Sequence, residues 1–287
     1  MSRKKALIIA GVVLLVLNVF SWSLLAELNK NNLRVVFFDV GQGDAVFIRT
    51  PQNHYILIDG GIGDVVLEKL ADELPFFERS IDLVILTHPH DDHVAGLVEV
   101  LKRYDVQEVM CTGVQGESGT ARRWKEMIEE RGYRLARSGK RVAGDDFHID
   151  ILFPVDNIVG ETVRDLNEVS VIARLDFKEH SFLFTGDAYK EQEEQVVGYQ
   201  EECLEEGLED CERFTVRADV LKIGHHGSNT STEEDFLRHV APKIAVIQVG
   251  EDNRYGHPHP DVLGRLEDRG VLVKRTDMDG DVIMEVD

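Results

Sequence analysis

Hydrophobic and polar positions along the chain change register twice. Residues 6–26 contain no charged side chain, and at about 1.5 Å per residue such a run spans the roughly 30 Å hydrocarbon core of a bilayer as one helix. From residue 33 the pattern shortens. Residues 33–39 (LRVVFFD), 45–50 and 55–59 read as β-rich runs, separated by the turn-forming segments 41–44 and 51–53. A helical stretch at 64–74, a buried strand at 81–86, a helix from about 94 to 104 and a strand near 108–110 then alternate. Further strands are expected at 147–153, 169–177, 181–185, 220–223, 244–249, 271–275 and 282–286, with helices at 190–206, 232–240 and 260–268. Many strands with helices between them predict two sheets covered by helices. No repeat and no Pro- or Ser-rich linker interrupts this region, so the expected division is an anchor over residues 1–30 and one domain over 31–287.

Charge sets the orientation. Arg3, Lys4 and Lys5 precede the apolar run, and basic residues stay on the cytoplasmic side, which sends everything after Glu27 across the membrane. A cleaved signal peptide is the rival, but the run is long for one, and Leu24 stands where a small residue is expected before a cut at Ala26. The expectation is therefore a single-pass protein of the cell membrane with its main domain outside the cytoplasm. A length of 287 residues, 43% of them hydrophobic and 30% charged, excludes wholesale disorder and allows one large core. The net charge of −21 repels polyanions at long range, which excludes a general nucleic-acid coat. Against that background the basic cluster from Arg122 to Arg141 reads as a local patch for an anionic substrate, and the acidic stretch 191–212 as a solvated helix face. The three cysteines form no C-x-x-C pair, so a metal must be held by His and Asp. Cys203 and Cys211 can pair across a short acidic loop or remain two thiols; spacing leaves both open.

The chemistry lies where strands end. His88-Pro-His90-Asp-Asp92-His93 follows a buried strand and precedes a helix, and its spacing suits two adjacent cations, zinc or manganese by ligand type. Asp59 in I-D-G-G, Asp187 in T-G-D, and His225 and His226 in H-H-G-S each follow an apolar run as well. In this order the pieces resemble the metallo-β-lactamase fold family, an αββα sandwich, across the chain from Leu33 onward. That resemblance implies His88 and His90 on a first metal, Asp92, His93 and His225 on a second, and Asp187 between them. Asp59 and Ser228 would support these ligands by hydrogen bonds. The run F-D-V-G-Q-G-D-A at 38–45, the H-H-G-S segment, and R-Y-G-H-P-H-P followed by R-T-D narrow the resemblance to the extracellular domain of the ComEC DNA-uptake proteins. Such a channel needs many membrane helices, and this chain has one apolar span, so strand transport does not follow. One departure stands out. Where many family members supply a further His to the first metal, this chain has Asn167, a poor zinc ligand, so the first site is expected to be weak or manganese-loaded. His148 and His180 lie within or beside strands and read as structural.

Two cations about 3.5–4 Å apart lower the pKa of a shared water and stabilise charge on the attacked group. The expected catalytic set is Asp92, His226, His257 and Lys222. Lys222 and, better, His257 would capture an anionic phosphodiester, and His226 is either a donor to phosphate or a supporting ring. Asp44 and Gln42 are expected to shape a turn. The function expected is that of a membrane-anchored, metal-dependent phosphodiesterase or nuclease using a metal-bridging hydroxide, with DNA as the family-weighted substrate. Hydrolysis of a phosphocholine or envelope ester is the alternative, as is a non-catalytic accessory module of an uptake or envelope complex.

Overall fold

The computed structural model describes residues 2–28, 32–161, 163–207 and 210–287. A single helix, α1 (Arg3–Leu28), comes first and carries exposed apolar side chains such as Leu7, Leu15 and Trp22. The side chains of 6, 20 and 23–28 are outside the description, and among the described residues no helix is long and apolar enough to cross a membrane. The expected boundary at residues 30–31 also falls outside the described residues.

Strands β1 (Leu33–Phe37), β2 (Val46–Arg49) and β3 (Tyr55–Ile58) form an antiparallel meander. Helix α2 (Val65–Glu73), β4 (Ser80–Ile85), α3 (Asp91–Arg103), β5 (Asp105–Cys111), α4 (Gly119–Arg131) and β6 (Arg134–Leu135) continue the first sheet with parallel pairings from β3 to β6. The second sheet starts with β7 (Arg141–Ala143), β8 (Phe147–Phe153), β9 (Ile172–Phe177) and β10 (His180–Phe184), again antiparallel. After α5 (Lys190–Glu206) it continues in parallel through β11 (Val220–Lys222), α6 (Glu234–Val240), β12 (Ile244–Ile247), α7 (Pro260–Asp268) and β13 (Leu272–Arg275). The last strand, β14 (Val282–Val286), returns to pair with β1 at the edge of the first sheet.

Side-chain alternation along the strands builds the layers. Val35 and Phe37 of β1 face the other sheet and meet Phe177, Phe182 and Phe184, while Val36 and Phe38 face α2, α3 and α4. On the far side Leu183, Leu221 and Ile247 pack under α5, α6 and α7. Two sheets between two helical layers make the αββα sandwich that the sequence predicts. Helix α4, hidden in sequence by its charges, buries only Ala121, Trp124 and Ile128 on one face and is capped by Ser118, whose hydroxyl accepts the Ala121 N–H at 3.0 Å. Cys203 and Cys211 form a disulfide that closes the end of α5 onto the following turn.

Candidate metal centre

The strands that run parallel across each sheet end on one edge, and the site is built there. Asp59 follows β3, His88 and His90 follow β4, and Asp92 and His93 open α3, whose N-terminal dipole favours carboxylates. Asp187 follows β10, and His225 and His226 sit in the tight turn Gly224–Gly227 after β11. Both histidines there have left-handed backbone, φ 48° and 53°, a conformation that costs non-glycine residues about 1 kcal/mol or more each. It persists because the turn aims both rings at Asp187.

Hydrogen bonds fix each ring. The Asp59 carboxylate accepts the Thr87 N–H at 2.8 Å, the Thr87 hydroxyl at 2.6 Å and His93 Nδ1 at 2.9 Å. Since the Thr87 proton goes to Asp59, its oxygen accepts from His88 Nδ1 at 3.1 Å, with Ser170 Oγ 3.2 Å from the same nitrogen. His226 Nδ1 donates to the Gln248 carbonyl at 2.9 Å. His225 Nδ1 donates to Thr230 Oγ1 at 2.9 Å, whose own proton goes to Ser228 at 3.0 Å. Each ring therefore turns Nε2 toward the centre, as ligand imidazoles do. Asp187 Oδ2 lies 3.4 Å from His93 Nε2, 3.5 Å from His226 Nε2, and 4.0 Å from both His88 Nε2 and His225 Nε2.

This set fits a divalent cation. Asp92, His93, Asp187 and His226 bring ligand atoms within 4.8 Å of one another, and His93 Nε2, His226 Nε2 and Asp187 Oδ1 are buried without a hydrogen-bond partner. Bonds of about 2.0–2.1 Å in a tetrahedral site put ligand atoms about 3.4 Å apart, close to the 3.4–3.5 Å of the pairs His93–Asp187, His226–Asp187 and His226–Asp92. Burial opposes charge at each member, yet the charges hold each other. The Asp187 and Asp44 carboxylates keep His226 up at about 10 against burial. Asp187 and Asp59 likewise lift His93 well above the ordinary imidazole range despite burial, and His226 and His93 hold the Asp187 carboxyl well below its own. A cation takes over the balancing that protons perform on these rings.

The structure revises several expectations. His226, rather than His225, stands with Asp92, His93 and Asp187, its Nε2 being 3.5 Å from Asp92 Oδ2. His225 Nε2 stands farther from Asp187 Oδ2, at 4.0 Å, and accepts from Asn167 Nδ2 at 3.3 Å. His88 Nε2 and His90 Nδ1 face each other at 3.0 Å, and buried Asn167, beside Tyr189 and His225, keeps a partnerless Oδ1. Lys222 cannot capture substrate: it is 2% exposed, pairs with Asp44 and donates to the Gly186 carbonyl at 2.9 Å. Asp44 is correspondingly more than a turn-shaping residue, since Oδ1 lies 3.3 Å from His226 Nδ1. Ser228 acts through Thr230 and does not line the cleft above the site. His257 does line it, with burial and then His225 lowering its pKa to about 4, so it is a neutral ring there. The basic cluster does not form one patch. Arg123, Lys125, Arg134 and Arg141 pair with Glu126, Glu129, Glu108 and Asp150, and of the cluster only Arg122 lines the cleft. His148 sits beside Asp150 and Asp176, a group that Arg141 and Arg174 already neutralise.

The cleft holds about 1310 Å³, with His90, Asp92, Asp187, His225 and His226 on its floor. Arg122, Arg164 and Tyr255 stand on its walls. Asp44, Thr87, Ser170 and Gln248 escape sequence reasoning as supports of the site; Thr87 had a signal in its place inside T-H-P-H, and Asp44 one in the run F-D-V-G-Q-G-D-A.

A family model described as the metallo-beta-lactamase superfamily matches residues 38–251. ComE operon protein 3 of Bacillus subtilis is 29% identical over 272 residues, covering 86% of this chain and 32% of that protein. Recombination protein 2 of Haemophilus influenzae is 30% identical over 278 residues (95% and 31%), and competence protein ComA of Neisseria gonorrhoeae 28% over 251 (88% and 32%). The chain thus spans about a third of the length of these relatives. Among solved structures, the metallo-beta-lactamase fold protein YhfI from Bacillus subtilis superposes with a TM-score of 0.55 at 13% identity, over 88% of this chain and 100% of that one. CmlA, a diiron β-hydroxylase from Streptomyces venezuelae, gives 0.54 at 15%, over 89% and 54%. These two likenesses speak for the fold alone.

Proposed function

The chain belongs to the metallo-beta-lactamase superfamily, is related to competence proteins and carries a His/Asp cluster suited to metal; on that premise we propose that it is a phosphodiesterase that cleaves DNA outside the cytoplasmic membrane, held there by α1. The observation that carries this reading is the group of buried, partnerless ligand atoms of His93, His226 and Asp187 beside a cleft that Arg122 and Arg164 also line. Divalent cations bound by Asp92, His93, Asp187 and His226, and more weakly by His88 and His90, would supply an activated water and neutralise charge on a phosphoryl oxygen. The chain's own residues do the rest. Asp187 faces both groups of imidazoles and sets their separation. Asp59, Thr87 and Gln248 hold the rings in one tautomer, so no reorganisation is needed when charge develops. Arg122 and Arg164 offset the repulsion between an anionic substrate and a chain of net charge −21. Zinc or manganese are the cations that this ligand set favours. The uncharged run 6–26 and the exposed apolar side chains around α1 support the anchoring.

A second reading draws on Asn167, which offers an amide where many relatives have an imidazole: an accessory binding module that keeps one metal without turnover. Incubation of linear and circular DNA with the purified chain under manganese or zinc separates the two. Cleavage that disappears with chelator and in Asp187→Ala supports the phosphodiesterase, whereas intact DNA under every metal, with no turnover of bis(p-nitrophenyl) phosphate, leaves the binding module.

A further inference from the structure

Beyond the metal ligands, one wall of the cleft is made of rings. His226, His225, His257 and Tyr255 follow one another outward from the metal centre, with successive centroids 6.3, 5.8 and 5.8 Å apart. His225 and His257 meet edge to face at 71°, while Tyr255 lies within 25° of the plane of His257. Exposure rises along the row, from buried His226 to Tyr255 at 60%. The loop that carries Tyr255 is pinned: Asn253 Nδ2 donates to the carbonyls of Gly250 and His257, both at 2.9 Å, and its Oδ1 accepts the His257 N–H at 3.0 Å. An exposed aromatic ring on a pinned loop at the cleft is available to a ligand, which would cover apolar surface that now faces water. The Arg254 guanidinium lies over the Tyr255 ring at 5.7 Å from its centre, within cation–π reach, and the ring is still 60% exposed, so its cover on that face is a solvent-facing side chain and not the core. Arg122 and Arg164 are exposed and line the same cleft.

We propose that Tyr255 is a stacking platform for a base of the bound strand outward of the scissile phosphate, and that the cleft therefore takes single-stranded nucleic acid in preference to duplex. The inference rests on the phosphodiesterase reading and deepens it. A ring offered to solvent accepts the face of any base, whereas bases inside a duplex have both faces covered by their neighbours. Arginines beside the platform track the phosphates of a flexible strand. Tyr255 touches the base and not the reacting atoms, so it positions the strand and leaves the chemical step to the metal centre.

The test measures cleavage by the whole chain under manganese, with an ordinary single strand, the same sequence as duplex, and a strand of equal length carrying abasic sites. For the ordinary strand Tyr255→Ala is expected to raise KM about tenfold with kcat nearly unchanged. Tyr255→Phe should keep the wild-type KM. Wild type should show a lower KM for the single strand than for the duplex, and Tyr255→Ala should erase that difference. On the abasic strand wild type and Tyr255→Ala should behave alike. Equal KM values on the ordinary strand, or the same loss on the abasic one, overturn the platform while leaving the phosphodiesterase intact. Absence of wild-type cleavage on all three substrates overturns both.

Discussion

The Cβ that Gly96 lacks would fall 1.9 Å from the carbonyl oxygen of Gly60, so α3 and the loop after β3 touch backbone to backbone. Only glycine permits this approach. The contact sets Asp92 and His93, in the first turn of α3, against Asp59, which precedes Gly60. Gly96→Ala must push the two segments apart and is expected to destabilise the fold by about 1–3 kcal/mol, with metal affinity falling alongside. Urea denaturation and metal titration of the variant check both; an unchanged midpoint would mean that the loop yields without consequence.

Asp59 holds His93 through Nδ1 and Thr87 through both its N–H and its hydroxyl. Asp59→Asn preserves the shape but offers an amide where a carboxylate oriented the ring. Metal affinity should drop about 10- to 100-fold, measured by competition with a chromophoric chelator. Wild-type affinity in Asp59→Asn would show that His93 needs no such support.

Glu193 of α5 is fully buried and accepts the N–H groups of Thr232, at 2.6 Å, and Glu233, at 3.1 Å, pinning the segment that follows H-H-G-S. Burial, despite those two bonds, raises its pKa from 4.5 to about 8. Across that interval the folded chain keeps a proton that the unfolded chain has released, so this contribution to stability is complete below pH 4.5 and declines until about pH 8. Glu193→Gln cannot titrate. Its melting temperature should therefore fall less than that of wild type between pH 5 and 8; parallel profiles would place the wild-type ionisation elsewhere.

Much of the site is legible in the sequence because strand ends and ligands coincide. His88, His90, Asp92 and His93 fall in six consecutive positions at the β4–α3 junction, and Asp59 and Asp187 each close an apolar run. The choice between His225 and His226 is not legible, since neighbours in a left-handed turn point where backbone geometry sends them. Lys222 had a signal that spacing alone could have supplied. In β11 it shares a face with Val220, which packs between the sheets, whereas Leu221 faces the outer helices. Its partner Asp44 lies 178 positions away, a pairing that only the fold creates. Helix α4 escaped because only three buried apolar residues in thirteen carry its period while charges dominate its composition.

Metal content measured on the purified chain, after loading with manganese or zinc and desalting, tests the paired-cation centre most directly. The geometry around Asp187 predicts about two equivalents in wild type, with His226→Ala losing the tighter one, His225→Ala retaining it, and Asp187→Ala losing both. No metal in wild type, or a full complement in Asp187→Ala, would contradict the account.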